Sequence, residues 1–241
     1  MVSLPYKKCF VACLDILGFK NFIHKRALID GDDASFVYDS LKKINKLSKI
    51  LTGAHLKNPD PKIYSILLSD TVLLFSEKDD EKSFKYIVDI VAETICDGIG
   101  LCITNIAPMR FRGAISWGNF YCDWNEKIFF GPAYNDAAKW EKKQEWIGAV
   151  LTPDCAKFIQ NKGFNIDSII EYEAPIKEMI IKDDKCENRI SLCVNWTNGF
   201  ACKDSNSNEL FKGQDADKEY KEKLEHTRDF YNYCKSKKHS K

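Results

Sequence analysis

The chain has 241 residues, of which 44% are hydrophobic and 12% aromatic, enough for a buried core in one large domain or two small ones. That content excludes disorder for the bulk of the chain, and no uninterrupted apolar run approaches the roughly 20 residues a bilayer span needs. Its 36 basic and 35 acidic residues leave a net charge of +1, which argues against a dedicated binder of nucleic acid or of an acidic membrane surface.

Residues 8–17 form a nearly continuous apolar run holding one acid, Asp15. This predicts a central strand buried on both faces, broken by Gly18. Residues 34–51 place Phe36, Val37, Leu41, Ile44, Leu47 and Leu51 at three- and four-residue steps, an amphipathic helix that Asn58-Pro59-Asp60-Pro61 stops. Two apolar runs, Ile63 to Leu68 and Thr71 to Phe75, are parted only by Ser69-Asp70 and read as a tight hairpin. Phe84, Ile87, Val88, Val91, Ile95 and Ile99 make one stripe of a helix over 81–103.

Residues 109–116 and 119–122 read as two strands with Gly118 between them. Residues 132–144 read as a helix, Val150 and Leu151 end a strand, and Pro153 opens a helix at its first turn. Late strands are expected over 168–182 and 189–196, then a polar loop from Asn198 to Gly213, then a highly charged helix over 215–236. No internal repeat is evident. This order predicts an α+β domain with a ferredoxin-like βαββαβ core, its sheet mostly antiparallel and flanked by helices. The division expected is a domain over 1–200 and an appended loop and charged helix over 201–241. That last helix is read as solvated on one side and packed on its own domain.

Ten cysteines occur, with no CxxC pair and no Cys/His cluster at zinc-ligand spacing. The start, Met-Val-Ser-Leu-Pro-Tyr-Lys-Lys, runs straight into a strand-like segment and does not resemble a secretory leader. Most cysteines are therefore expected to be small buried hydrophobes in a reducing, cytoplasmic setting.

Asp15 and Asp70 each stand where apolar sequence should continue. A carboxylate buried in such a run costs several kcal/mol unless it is paired or bound to a cation. If the first strand and the hairpin are neighbours, the two acids converge at one sheet edge. With no basic residue within three positions of either, they suit all-oxygen ligation of a divalent ion, Mg²⁺ or Mn²⁺. The alternative is that Asp15 caps a helix after Gly18 and Asp70 is an ordinary turn acid.

Four segments carry a family resemblance. Asp15-Ile-Leu-Gly-Phe19 resembles the Asp-Ile-x-Gly-Phe opening of class III nucleotidyl cyclase domains, and Ser69-Asp70-Thr-Val-Leu resembles their second metal-site hairpin. Arg112-Gly-Ala-Ile-Ser-Trp-Gly118 resembles their Arg-x-Gly-Ile-x-x-Gly strand, and Gly131-Pro-Ala-Tyr-Asn135-Asp-Ala-Ala-Lys139 their Gly-x-x-Val-Asn-x-Ala-Ala-Arg segment. The four come in the family's order and span about residues 8–196. The C-terminal helix lies outside the match.

The resemblance implies the class III cyclase catalytic fold and a set of roles. Asp15 and Asp70, with the Ile16 carbonyl, would hold two Mn²⁺ or Mg²⁺ ions per site. Amides from Leu17 through Gly18 to Phe19 would meet triphosphate oxygens, and Arg112 would bind a phosphate. Asn135 would orient the ribose, and Lys139 stands where the family uses an Arg on the transition-state phosphate. Lysine lacks the planar fork of arginine, so that contact would be less directional. Lys177, or Lys182 in its place, would grip the terminal phosphate. The family's site forms between two domains, so a single copy implies a head-to-tail homodimer with two composite sites.

Base choice departs most from the purine cyclases. Their base-reading positions fall here at Ile66 and Ile128, neither of which can make the usual hydrogen bond to adenine or guanine. Together with Trp117 and the Phe129-Phe130-Gly131-Pro132 run, this resembles the bacterial pyrimidine cyclases of Pycsar antiphage systems. Those make cyclic UMP or cyclic CMP as a signal to a separate effector protein. The alternatives are an adenylate or guanylate cyclase, a catalytically dead cyclase-like domain that binds nucleotide or only dimerises, and a non-enzymatic protein whose charged helix binds a partner.

Overall fold

The computed structural model describes residues 4–20, 32–53, 59–103, 110–123, 125–177, 191–200, 202, 205–211 and 220–238. The first six elements are β1 (Leu4–Ile16), α1 (Asp32–Leu51), β2 (Ile63–Leu68), β3 (Thr71–Ser76), α2 (Glu81–Ile103) and β4 (Phe111–Asp123). Their strands lie in the order β2-β3-β1-β4, every pair antiparallel, which is the expected ferredoxin-like unit. The sheet is extended by β6 (Gly148–Leu151), parallel to β4, then by β8 (Ser191–Val194) and β7 (Ile169–Tyr172). A short strand β5 (Ile128–Phe130) pairs with the end of β4. Among the described residues no helix is long and apolar enough to cross a membrane.

From Cys9 to Leu14 β1 is apolar and buried, because both of its faces are covered there. Phe10, Ala12, Leu14 and Ile16 enter the larger core cluster, with Phe84, Ile87 and Val91 of α2. Cys9, Val11 and Cys13 enter a second cluster with Ala133 and Ala137 of α3 (Pro132–Lys143). Pro153 opens α4 (Pro153–Lys162) within its first turn, as the sequence predicts, and Pro132 opens α3 in the same way. Gly131 joins β5 to α3 where a Cβ would lie 2.3 Å from the carbonyl oxygen of Asn119, so only glycine lets this turn close on β4.

Several boundaries differ from the sequence expectation. The expected break at Gly118 is absent: β4 runs through it, with Gly118 opposite Cys9 in an unbroken ladder. A glycine inside a strand is held by its neighbours when the ladder on either side is intact. The strand expected over 168–182 is shorter: β7 ends at Tyr172, and beyond it Ile176 makes an isolated antiparallel bridge with Gln144 instead of continuing the pairing with β8. Residues 178–190 lie outside the described residues. The polar loop contains a helical turn, α5 (Ser207–Leu210), and the charged helix α6 spans Lys221–Lys238.

α6 packs into the domain. Leu224, Phe230, Tyr231 and Cys234 belong to the larger core cluster, and Phe230 meets Trp146 edge to face at 4.6 Å. Cys9, Cys13, Cys96, Cys122, Cys155, Cys193, Cys202 and Cys234 are free and buried, as expected of small core residues.

Candidate active site

Asp15 continues the stripe of Cys9, Val11 and Cys13 to the end of β1, on the α3 side of the sheet. Its register partners are Thr71 on β3 and Arg112 on β4. Thr71 makes a side-chain hydrogen bond to it, and Arg112 Nη2 lies 3.6 Å from Oδ2. Asp70 sits at the tip of the β2–β3 hairpin, where Ser69 takes a left-handed φ of 58°. The tip is docked onto β1 by the Ile16 amide, which donates to the Asp70 carbonyl at 3.2 Å. The two acids thus meet at one sheet edge.

They face a cleft of about 270 Å³ walled by the β1 end and its turn, from Asp15 through Ile16, Leu17, Gly18 and Phe19 to Lys20. Asp70 and Arg112 complete that side. The Ile16 side chain is buried in the larger core, so it is the main chain of Ile16 that borders the cleft. The Leu17 amide donates to the Arg110 carbonyl at 2.8 Å, so it is committed within the fold and is not the anion donor the resemblance implied. Gly18 has a φ of 77°, in the region glycine favours.

Burial raises the Asp15 carboxyl above its ordinary pKa, and the nearby charge of Asp70 raises it further, against the pull of Arg112. Two carboxylates that repel each other across a polar cleft are a donor set suited to a hard divalent cation, so these residues fit the ions that the sequence resemblance implies. Elsewhere, Glu93, Cys96 and Asp97 on α2 bring ligand atoms within 4.8 Å of one another, but none of them lines this cleft.

Glu141 was not anticipated. It follows Ala133 and Ala137 at four-residue steps on the buried stripe of α3, and its Oε1 lies 2.5 Å from Arg112 Nε. Burial pushes its carboxyl up to about 7, against the pull of Arg112. Arg112 Nη1 donates to the Gln144 carbonyl at 3.1 Å. The Gln144 amide is itself fixed, with Nε2 donating to the Gly113 carbonyl and Oε1 accepting from Trp146 Nε1. The guanidinium is therefore clamped on two of its nitrogens and turns the third toward Asp15. A charged residue on an alanine stripe was a signal in the sequence; its partner was not.

Other expected site residues lie apart. Asn135 and Lys139 are exposed on α3, one turn from each other, and do not line the cleft of their own chain. Ile128 is exposed on β5, and Ile66 is half-buried against the smaller core cluster. Lys177 is exposed and pairs with Glu145 at 2.9 Å. Lys182 lies outside the described residues. Two lining residues come from the C-terminal segment, Tyr220 and Lys223, and nothing local in the sequence pointed to either.

No family model matches the chain, and no curated protein matches it. Solved structures do resemble it. The chain is 10% identical to the guanylyl cyclase Cya2, with 80% of this chain and 93% of that one covered and a TM-score of 0.48. Against the catalytic core of a rhodopsin-guanylyl cyclase with converted specificity in complex with ATPalphaS, identity is 13%, coverage 78% and 95%, and the TM-score 0.49. A bacterial light-regulated adenylyl cyclase is 14% identical with a TM-score of 0.49; 81% of this chain is covered, and it spans 54% of that one.

Proposed function

We propose that the chain is a nucleotidyl cyclase of the pyrimidine type, converting UTP or CTP to the 3′,5′-cyclic monophosphate and pyrophosphate as a homodimer. The observation that carries this is the convergence of Asp15 and Asp70 on one cleft beside a clamped Arg112. Asp15, Asp70 and the Ile16 carbonyl would hold two Mn²⁺ or Mg²⁺ ions. When bound, such ions acidify the ribose 3′-hydroxyl and neutralise triphosphate charge.

The remaining work falls to the chain. Arg112, oriented by Glu141 and Gln144 with Nη2 toward Asp15, would bind a phosphate at this cleft, and fixed donors of this kind stabilise charge that develops in the transition state. The turn at Gly18, which lines the cleft, would face the triphosphate oxygens as the resemblance implies. Asn135 and Lys139 are exposed on α3 and away from their own cleft, which supports a role in a second copy's site, where Asn135 would meet the ribose and Lys139 the phosphate. Lys177 would join them from that copy. The 3′-oxygen bonds to the α-phosphorus as the bond to pyrophosphate breaks, and no side chain forms a covalent intermediate. Ile66 and Ile128 offer no polar group to a purine edge, which favours a pyrimidine, since no buried donor is left unpaired when one enters. The product would act on a separate effector protein in cytoplasmic antiphage defence.

Incubating the purified protein and Mn²⁺ with ATP, GTP, CTP and UTP separately, and resolving the products, tests the reading. A cyclic pyrimidine monophosphate is expected. A cyclic purine product would overturn the base assignment, and no cyclic product from any of the four would overturn the activity.

A further inference from the structure

One wall of the cleft comes from the far end of the chain. Tyr220 lies so close over the β1 turn that a Cβ at Gly18 would fall 1.8 Å from its hydroxyl oxygen. Lys223, one turn further along, lines the same cleft as Asp15, Asp70 and Arg112. The start of α6 is stitched in place. The Ile147 amide donates to Thr227 Oγ1 at 2.8 Å, His226 Nδ1 lies 2.9 Å from the Glu145 carbonyl, and Leu224 is buried. Lys223 Nζ lies 2.7 Å from Glu145 Oε2. The other oxygen of that carboxylate is taken by Lys177 at 2.9 Å. One carboxylate thus faces two ammonium groups, so it does not neutralise both, and of the three side chains it is Lys223 that lines the cleft. Arg112, by contrast, has two nitrogens committed to Glu141 and Gln144.

We propose that Lys223 is a phosphate-binding residue of this cleft, meeting the end of the triphosphate from the same chain that supplies Asp15 and Asp70, with Glu145 holding the ammonium in place. The assignment rests on the cyclase reading for the nucleotide, while the polyphosphate is its own ligand chemistry. Binding of inorganic tripolyphosphate with Mg²⁺ to the full chain, followed by calorimetry, tests it without needing turnover. Lys223→Ala is expected to weaken binding roughly tenfold or more, the scale of one lost charge-assisted hydrogen bond, and Lys223→Arg to restore most of it. In the active enzyme Lys223→Ala should raise KM more than it lowers kcat, with thermal unfolding confirming that the variant folds.

Unchanged affinity and KM in a folded Lys223→Ala protein would overturn the assignment, as would absence of tripolyphosphate binding by the wild-type chain. If Lys223→Ala loses binding while no nucleotide is cyclised by the wild type, Lys223 stands and the cyclase reading falls. If nucleotide is cyclised and Lys223→Ala matches the wild type, the reverse holds.

Discussion

The Ile16 amide donates to the Asp70 carbonyl at 3.2 Å, so the residue after one cleft acid is bonded to the backbone of the other. That bond ties the hairpin tip to the end of β1, and with the Asp15–Thr71 register it sets two carboxylates side by side. Their mutual repulsion is present before any cation arrives.

Asp15→Asn and Asp70→Asn are each expected to lower cyclisation about 100-fold or more while leaving the fold intact. Unchanged turnover in either variant would remove the metal assignment.

The stability of Asp15→Asn has a predicted pH signature. The folded-state carboxyl of Asp15 titrates above its ordinary value, so between the unfolded and folded pKa the native state binds more protons, and stability falls as pH rises through that window. Asparagine has no proton to lose. Thermal unfolding of the variant should therefore decline less than the wild type on going from acid to neutral pH. A steeper decline would contradict the stated environment of Asp15.

Mn²⁺ is expected to raise the unfolding temperature of the wild-type protein, because a ligand that binds only the native state stabilises it by mass action. The rise should reverse with chelator and be largely lost in Asp70→Asn. An equal rise in that variant would place the ion elsewhere, with Glu93, Cys96 and Asp97 the first alternative to examine.

Glu141→Ala leaves a partly buried guanidinium without its main partner and is expected to cost about 3 kcal/mol in denaturant unfolding. Glu141→Gln, which keeps the shape and an acceptor, should cost less. A neutral Glu141→Ala would mean that the 2.5 Å contact with Arg112 contributes nothing to stability.

Mixing Asp15→Asn protein with Asn135→Ala protein tests whether the site is shared. Each is expected to be inactive alone. In a heterodimer one site draws both intact residues, so a re-equilibrated equal mixture should regain about a quarter of wild-type activity. No recovery, or sedimentation of an active monomer, would exclude a composite site.

Burial pushes the Cys9 and Cys13 thiols up to about 12 and Cys122 to about 11. At neutral pH almost no thiolate exists to react. A thiol reagent should therefore leave these three unlabelled in the native protein, detected by mass spectrometry, and modify them promptly on unfolding.

The sequence by itself determined the elements whose burial is written in local periodicity. β1, the Ser69-Asp70 hairpin and the α2 stripe are legible because apolar spacing follows directly from which faces are covered, and their order suffices for the ferredoxin-like unit. Asp15 and Asp70 stood out for the same reason, as charges interrupting apolar runs. Gly118 misled because a glycine is a break only where no ladder spans it, and the ladder to β1 is a long-range fact. The tertiary structure alone decided which charges pair. Glu141 finds Arg112 across 29 residues, and Lys223 and Tyr220 reach the turn at Gly18 from the other end of the chain. Spacing along a helix names the face a residue occupies; which distant group waits opposite that face is set by how the layers pack.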